Sequence, residues 1–240
     1  MVNPTGVPCT PMVSRGRADL HMHTTVSDGW PTPEELVDHA RNLALDVIAV
    51  TDHDSIEGAL RAAAHAGRRS KLEVVIGEEV SSRDGHIIGL FLERRVKPGL
   101  SAAATVHAIH DQGGVAIAAH PFWRTQRQAA RSRRVHGVGW LAAELDFDAI
   151  EVENATPGFY VFNQFAHRLQ IGLGAAEVGC SDAHILDAVG RAFTEFPGTS
   201  SLALRSAIAS GTTVARRNRY RAVGLMRYAA WGLNHQRYAV

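Results

Sequence analysis

Cysteine is nearly absent. Cys9 and Cys180 are the only two in 240 residues, so a disulfide framework is excluded and a thiolate metal site lacks its ligands. Lysine is as scarce, with Lys71 and Lys97 alone. No apolar run approaches the ~20 residues of a membrane span. The opening stretch has no apolar core of the secretory kind, and the expected compartment is the cytoplasm. Net charge is only +1, so no global field draws nucleic acid. Histidine, by contrast, is abundant at 13 residues.

The pattern of apolar runs sets the organisation. Residues 1–16 are rich in Pro, Gly, Ser and Thr and read as a flexible lead-in. Ala18-Asp19-Leu20-His21-Met22-His23 lies in a first strand, Arg17 to Thr24. Side chains alternate along a strand, so Asp19, His21 and His23 are expected on one face. Thr32-Pro33-Glu34-Glu35 reads as a cap, a proline at the first helical position and an acidic first turn. Asp46 to Thr51 is a continuous apolar run of the buried parallel type. Further strands are expected at Leu72–Ile76, Gly85–Phe91, Val115–Ala119, Asp148–Asn154 and Gly174–Cys180. Helices are expected between most of them, including Ser101 to Gln112, Phe159 to Ile171 and Ser200 to Ser210.

Alternating strands and helices with short connections predict an α/β fold with a parallel sheet. About seven strands, each closing on a polar residue, point to a barrel with its site at the carboxyl ends. One domain at 17–215 accounts for the length. The tail, 216–240, carries Leu225, Met226, Tyr228 and Trp231. It is too apolar to dangle, and is expected to pack on the barrel or on a second subunit, which would make a homo-oligomer.

A single histidine on a strand is read as a surface residue, and His39, His107 and His110 on helices are read that way. The strand ends are different. They present His21, His23, Asp28, His53, Glu79, His86, His120, Asp182 and His184. Imidazoles and carboxylates are metal ligands, and nine exceed what one ion uses. Two or three ions sharing a carboxylate would use them all, with Glu79 and Asp182 as the natural bridging or terminal carboxylates.

Asp19-Leu20-His21-Met22-His23-Thr24, Ser27-Asp28-Gly29, Thr51-Asp52-His53-Asp54, Gly77-Glu78-Glu79, His86-Ile87-Ile88-Gly89, His120-Pro121, Ile150-Glu151-Val152 and Ser181-Asp182-Ala183-His184 follow one another in order. Together they resemble the motifs of the PHP (polymerase and histidinol phosphatase) superfamily, over roughly residues 17 to 198. The resemblance implies a distorted (β/α)7 barrel with a trinuclear metal centre at its carboxyl face. It implies His21, His23, Glu79 and Asp182 around one ion, Glu79, His86 and His120 around a second, and Asp28, His53 and His184 around a third. Family members that act on nucleotide phosphates and RNA ends carry a helical insertion between the fourth and fifth strands. Here Phe91 and Val115 leave room for one helix.

About three divalent ions of zinc, manganese or iron suit this donor set. They would activate a bridging hydroxide held at Glu79 for attack on phosphorus. Asp19, Asp52, Asp54 and Glu151 are expected to orient the histidine rings. Arg124 and Arg191 are the candidates for binding a phosphate oxygen. Arg124 opens a run with Arg127, Arg131, Arg133 and Arg134. The expected function is metal-dependent phosphoester hydrolysis on a small phosphorylated metabolite. The alternatives are a nuclease or nucleotide phosphatase, with nucleic acid as partner and steep salt dependence, and a non-catalytic metal-binding scaffold.

Overall fold

A computed structural model describes residues 14–67, 70–128 and 135–238. Most of the lead-in, Arg131, Arg133 and Arg134 lie outside the described residues. In chain order the elements are β1 (Arg15–Asp19), α1 (Pro33–Arg41), β2 (Val47–Val50), α2 (Glu57–Ala66), β3 (Glu73–Ser82), β4 (Gly85–Leu90), α3 (Ala102–His110) and β5 (Val115–Ala118). They continue with α4 (Leu141–Glu144), β6 (Ala149–Asn154), α5 (Tyr160–Leu173), β7 (Ala176–Cys180), β8 (Ala192–Pro197), α6 (Ser201–Ala209), β9 (Val214–Arg217) and α7 (Ala222–Tyr238).

The described strands form one sheet in the order β7-β6-β5-β4-β3-β2-β1-β8-β9. Its ends curl together. Met22 and Ala183 form a parallel bridge just beyond β1 and β7. Lower down, Thr194 Oγ1 accepts from Gly179 N at 3.1 Å and donates to Gly179 O at 3.0 Å. The result is a nearly closed α/β barrel. Alternation along the strands builds it: Val47 and Ala49 face the inner cluster, and Ile48 and Val50 face α1 and α2. Leu204 and Ile208 of α6 plug the bottom of that inner cluster.

Thr32 makes the capping box expected of it, with Glu35 N donating to its hydroxyl at 3.2 Å and Glu35 Oε2 accepting from Thr32 N at 2.9 Å. Four expectations need correction. β4 is antiparallel to both β3 and β5, so the sheet is not uniformly parallel. β3 runs on to Ser82 and turns through Arg83-Asp84 into Gly85 as a hairpin. Gly85, the first residue of β4, takes φ 142° beyond the Arg83-Asp84 loop, where a side chain would also meet the backbone of Gly137 and Val138. Regular β1 also ends at Asp19 rather than Thr24, and β8 and β9 add antiparallel strands beside β1. No helix among the described residues is long and apolar enough to cross a membrane.

Beyond β9 the chain turns back over the barrel. α7 lies against the connection between β7 and β8, where Arg227 Nη1 donates to Asp187 Oδ2 at 2.8 Å. Tyr228 is buried in the cluster that also holds Met22 and Ala183.

Candidate metal centre

The mouth of the barrel is built where regular pairing stops. After Asp19 the chain stays extended, with His23 N donating to Ala183 O at 2.9 Å and Thr51 N to Met22 O at 2.8 Å. This holds His21 and His23 beside the ends of β2 and β7. Glu79 comes from the long β3, bridged to His53. Its carboxylate is the centre of the cluster. Oε2 lies 3.2 Å from His21 Nε2, 3.2 Å from His23 Nε2 and 3.3 Å from His53 Nδ1. Oε1 lies 2.8 Å from His86 Nδ1 and 3.0 Å from His120 Nε2.

Two more carboxylates flank it. Asp182 Oδ1 stands 3.5 Å and 3.4 Å from Nε2 of His21 and His23. Asp28 Oδ1 is 3.4 Å from His23 Nδ1 and 3.3 Å from His184 Nε2, and its Oδ2 is 3.7 Å from His53 Nε2. The nine strand-end residues are thus brought together. Ligand atoms lie within 4.8 Å of one another in four groups: His23, Asp28, His53 and His184; His21, His23 and Asp182; His21, Glu79 and His120; His53, Glu79 and His86.

These residues fit divalent ions. His21 Nε2, His23 Nε2 and His53 Nδ1 are buried, make no well-directed hydrogen bond, and crowd around one carboxylate oxygen. Buried polar atoms are ordinarily satisfied, and a shared cation would satisfy all three. Backbone strain gathers here too. Non-glycine residues with positive φ include His120 (26°), Asp182 (51°) and Asp54 (53°).

The charges are strongly coupled. Burial alone would lower His23, yet Asp28, Asp182 and Glu79 raise it to about 10. His21 is likewise carried well above its usual value against burial, by Asp182, Glu79 and Glu151. His120 is also raised against burial, chiefly by Glu79. Burial instead lowers His53 to about 4. Glu79 and Asp182 are held well below the carboxylate range against burial, by His53 and His21 respectively among others.

The metal-free centre therefore carries protons at pH 7 that an ion must displace. Metal uptake is expected to release them, measurable by calorimetric titration in buffers of different ionisation enthalpy. A buffer-independent heat would refute the protonation pattern. A histidine raised in the folded state stabilises fully below its unfolded value of 6.5, and that contribution fades as pH climbs through about 10. The metal-free protein should melt lower at about pH 9 than at pH 7, with added divalent ion reversing the loss.

The surrounding carboxylates divide differently from expectation. Glu151 does meet an imidazole: its Oε1 is 3.0 Å from His21 Nδ1, and its Oε2 accepts from His120 N at 2.6 Å. The other three bind backbone amides and hydroxyls instead. Asp19 accepts from Ser181 N at 2.9 Å and Gly190 N at 2.8 Å, tying β1 to the connections around β7. Asp52 accepts from Thr24 N, Thr24 Oγ1 and Ser27 Oγ, each at 2.7 Å, and so shapes the loop that presents Asp28. A Cβ at Gly58 would collide with this same carboxylate. Asp54 accepts from Ser81 N at 2.8 Å.

The arginines also divide. Arg124 is exposed, four residues past His120, with its Cζ 5.0 Å from the Trp123 ring centroid. It stands at the rim. Arg191 does not face the site. Its Nε donates to Asp187 O at 2.9 Å and its Nη1 to Arg219 O at 3.1 Å, so it anchors the C-terminal segment.

Sequence reasoning passed over His136, whose ring lies 4.8 Å from that of His86 and 4.4 Å from that of Trp123. Burial and the neighbouring His86 and His120 lower it to about 3. It also passed over Asn154 and Thr156, which donate to Asp182 Oδ2 at 3.1 Å and 3.0 Å. Asn154 closes β6, a strand-end position of the kind that marked the ligands.

Comparison with known proteins gives a consistent picture. The PHP domain model matches residues 19–135, and a model described as PHP-associated matches residues 162–213. The uncharacterized protein MJ1587 of Methanocaldococcus jannaschii is 35% identical over 150 residues, which is 58% of this chain and 82% of that protein. The 3',5'-nucleoside bisphosphate phosphatase of Chromobacterium violaceum is 42% identical over 88 residues, 35% of this chain and 30% of the relative. This chain thus matches less than a third of that enzyme's length. A two-domain protein from Bacteroides vulgatus, containing a predicted PHP-like metal-dependent phosphoesterase, superposes with a TM-score of 0.69 at 20% identity. The superposition covers 96% of this chain and 74% of that one.

Proposed function

Because the chain belongs to the PHP superfamily, we propose that it is a metal-dependent phosphoesterase acting on a small phosphorylated metabolite at the Glu79 cluster. The observation that carries this reading is the convergence of five imidazoles on the two oxygens of Glu79. In it, His21, His23, Glu79 and Asp182 hold one ion, Glu79, His86 and His120 a second, and Asp28, His53 and His184 a third. Bound divalent ions supply a nucleophile at neutral pH and positive charge for the phosphoryl oxygens.

The chain's own groups do the rest. Glu151 accepts the Nδ1 proton of His21, which leaves Nε2 with its lone pair turned to the centre. His184 does the same through Asp182 O, 2.9 Å from its Nδ1, and so presents Nε2 beside Asp28. Arg124 brings a cation to the rim, where it can hold a phosphate oxygen by paired hydrogen bonds. Phosphoryl transfer asks for little more than such positioning and charge.

The test is phosphate release from phosphorylated metabolites, and separation of the alcohol and phosphomonoester products from diesters and short oligonucleotides, by zinc-, manganese- and iron(II)-loaded protein. Turnover of small monoesters or diesters is expected. Turnover of oligonucleotides alone, falling steeply with salt, would assign the nuclease reading instead. Metal binding without any turnover would leave a scaffold. Arg124→Ala should raise KM about 10-fold and change kcat less than about 3-fold, because it removes ground-state and transition-state binding alike. A loss confined to kcat would remove Arg124 from the rim role.

A further inference from the structure

α7 lies outside both matched regions, 19–135 and 162–213, yet it reaches the metal centre. Tyr228 and Trp231 are three apart on the helix and so share a face. The Trp231 ring lies 4.1 Å from the His184 ring, centroid to centroid. Its Nε1–H donates to Asp28 O at 2.9 Å across 203 residues of chain. The Tyr228 hydroxyl lies 3.2 Å from Thr156 Oγ1. Thr156 spends its own proton on Asp182 Oδ2, 3.0 Å away. Tyr228 must therefore donate to Thr156, which gives a directed chain from tyrosine through threonine to aspartate. With Oδ2 also taking the Asn154 amide, Asp182 keeps Oδ1 turned toward His21 and His23.

One helical turn thus braces three candidate ligands on two sides of the cluster. We propose that Trp231 and Tyr228 are positioning residues for the metal centre. The docking of α7 and the loading of ions are then one coupled equilibrium. This rests on the metal-centre part of the reading above and not on the identity of the phosphoester. Groups that orient ligands from behind are worth about 10–100-fold in metal affinity. Coupling is reciprocal, so bound ions must in turn hold the helix down.

The test uses the full chain stripped of metal and titrated with Co2+, with release by a competing chelator followed by the cobalt spectrum. Trp231→Ala should loosen one class of ion about 10-fold or more and leave the others in place. Trp231→Phe keeps a ring over His184 but loses the donor, and should fall between wild type and Trp231→Ala. Tyr228→Phe should loosen a different class, the one that uses Asp182. Limited proteolysis within 218–238 supplies the reciprocal readout. Cobalt should slow cleavage about 10-fold in the wild type and have little effect in Trp231→Ala. A residue that only packed would lower the melting temperature equally with and without Co2+, and would leave chelator release unchanged. If Trp231→Ala fails to fold, Trp231→Phe and Tyr228→Phe decide. Wild-type release curves in both, with proteolysis indifferent to Co2+, would overturn the proposal. Protein that binds no Co2+ would overturn both it and the metal centre. Protein that binds Co2+ with these shifts but hydrolyses nothing would leave it standing and remove only the phosphoesterase.

Discussion

Glu79→Gln is expected to strip ions from the centre and lower phosphate release by about 1000-fold, close to 4 kcal/mol of transition-state stabilisation. The argument is electrostatic. Glu79 is fully buried, and both of its oxygens face imidazoles, three on one and two on the other. Its negative charge balances whatever cation sits among them. A glutamine offers one oxygen and no charge, and its NH2 would point at nitrogens that must themselves face an ion. Asp54→Asn is the informative contrast. Asp54 accepts from Ser81 N at 2.8 Å, and an asparagine oxygen does the same. That change should cost less than about 5-fold. Metal content by elemental analysis and kcat measured on both variants decide the matter. Similar losses with unchanged metal content would show that Glu79 is not the shared ligand.

Glu151→Gln is expected to weaken metal affinity by about 10–100-fold although residue 151 touches no ion in the proposed assignment. Glu151 receives from three sides: His21 Nδ1 at 3.0 Å, His120 N at 2.6 Å and Asn154 Nδ2 at 3.1 Å. An amide cannot accept on both ends. If its NH2 faces His21, the ring must take the other tautomer and place a proton on the nitrogen that should ligate. If its NH2 faces His120 N and Asn154, two buried donors meet a third donor, at about 1–3 kcal/mol for each group left unsatisfied. Chelator competition on the variant measures the loss, and an unaltered affinity would remove Glu151 from its role. Asp52→Asn makes a useful companion. Its partners are Thr24 and Ser27, so it should act through the Asp28 loop and spare the His120 side.

Much of the centre was legible in the chain because its rules are local. A strand alternates its side chains, so His21 and His23 fall together. An apolar run that ends abruptly in His53, His120 or Asp182 marks a strand end where the chain leaves the core. The caps at Thr32, Ser101 and Ser200 are equally local, and each accepts from a backbone amide three residues on. The hairpin between β3 and β4 closes through Arg83-Asp84, a pair without the Asn-Gly or Asp-Gly signature of a two-residue loop. The alternation of strands and helices along the rest of the chain predicted a parallel sheet throughout. β8 and β9 had no local signal either. Ala192–Pro197 becomes a strand by pairing with β1, a partner about 180 positions away.

Residue type and spacing by themselves determined which groups can bind metal and that they lie at strand ends. Tertiary structure alone decided which of four carboxylates turns to an imidazole. That choice depends on which strands are neighbours: β5 beside β6 brings Glu151 to His120 N, and the β1 extension beside β2 gives Asp52 to Thr24. It also decided that Arg191 anchors the C-terminal segment and that Trp231 lies over His184. Periodicity acts over a few residues, whereas a hydrogen bond such as Trp231 to Asp28 joins positions 203 apart. Contacts of that kind exist only once the barrel has closed and left a surface for the last helix to cover.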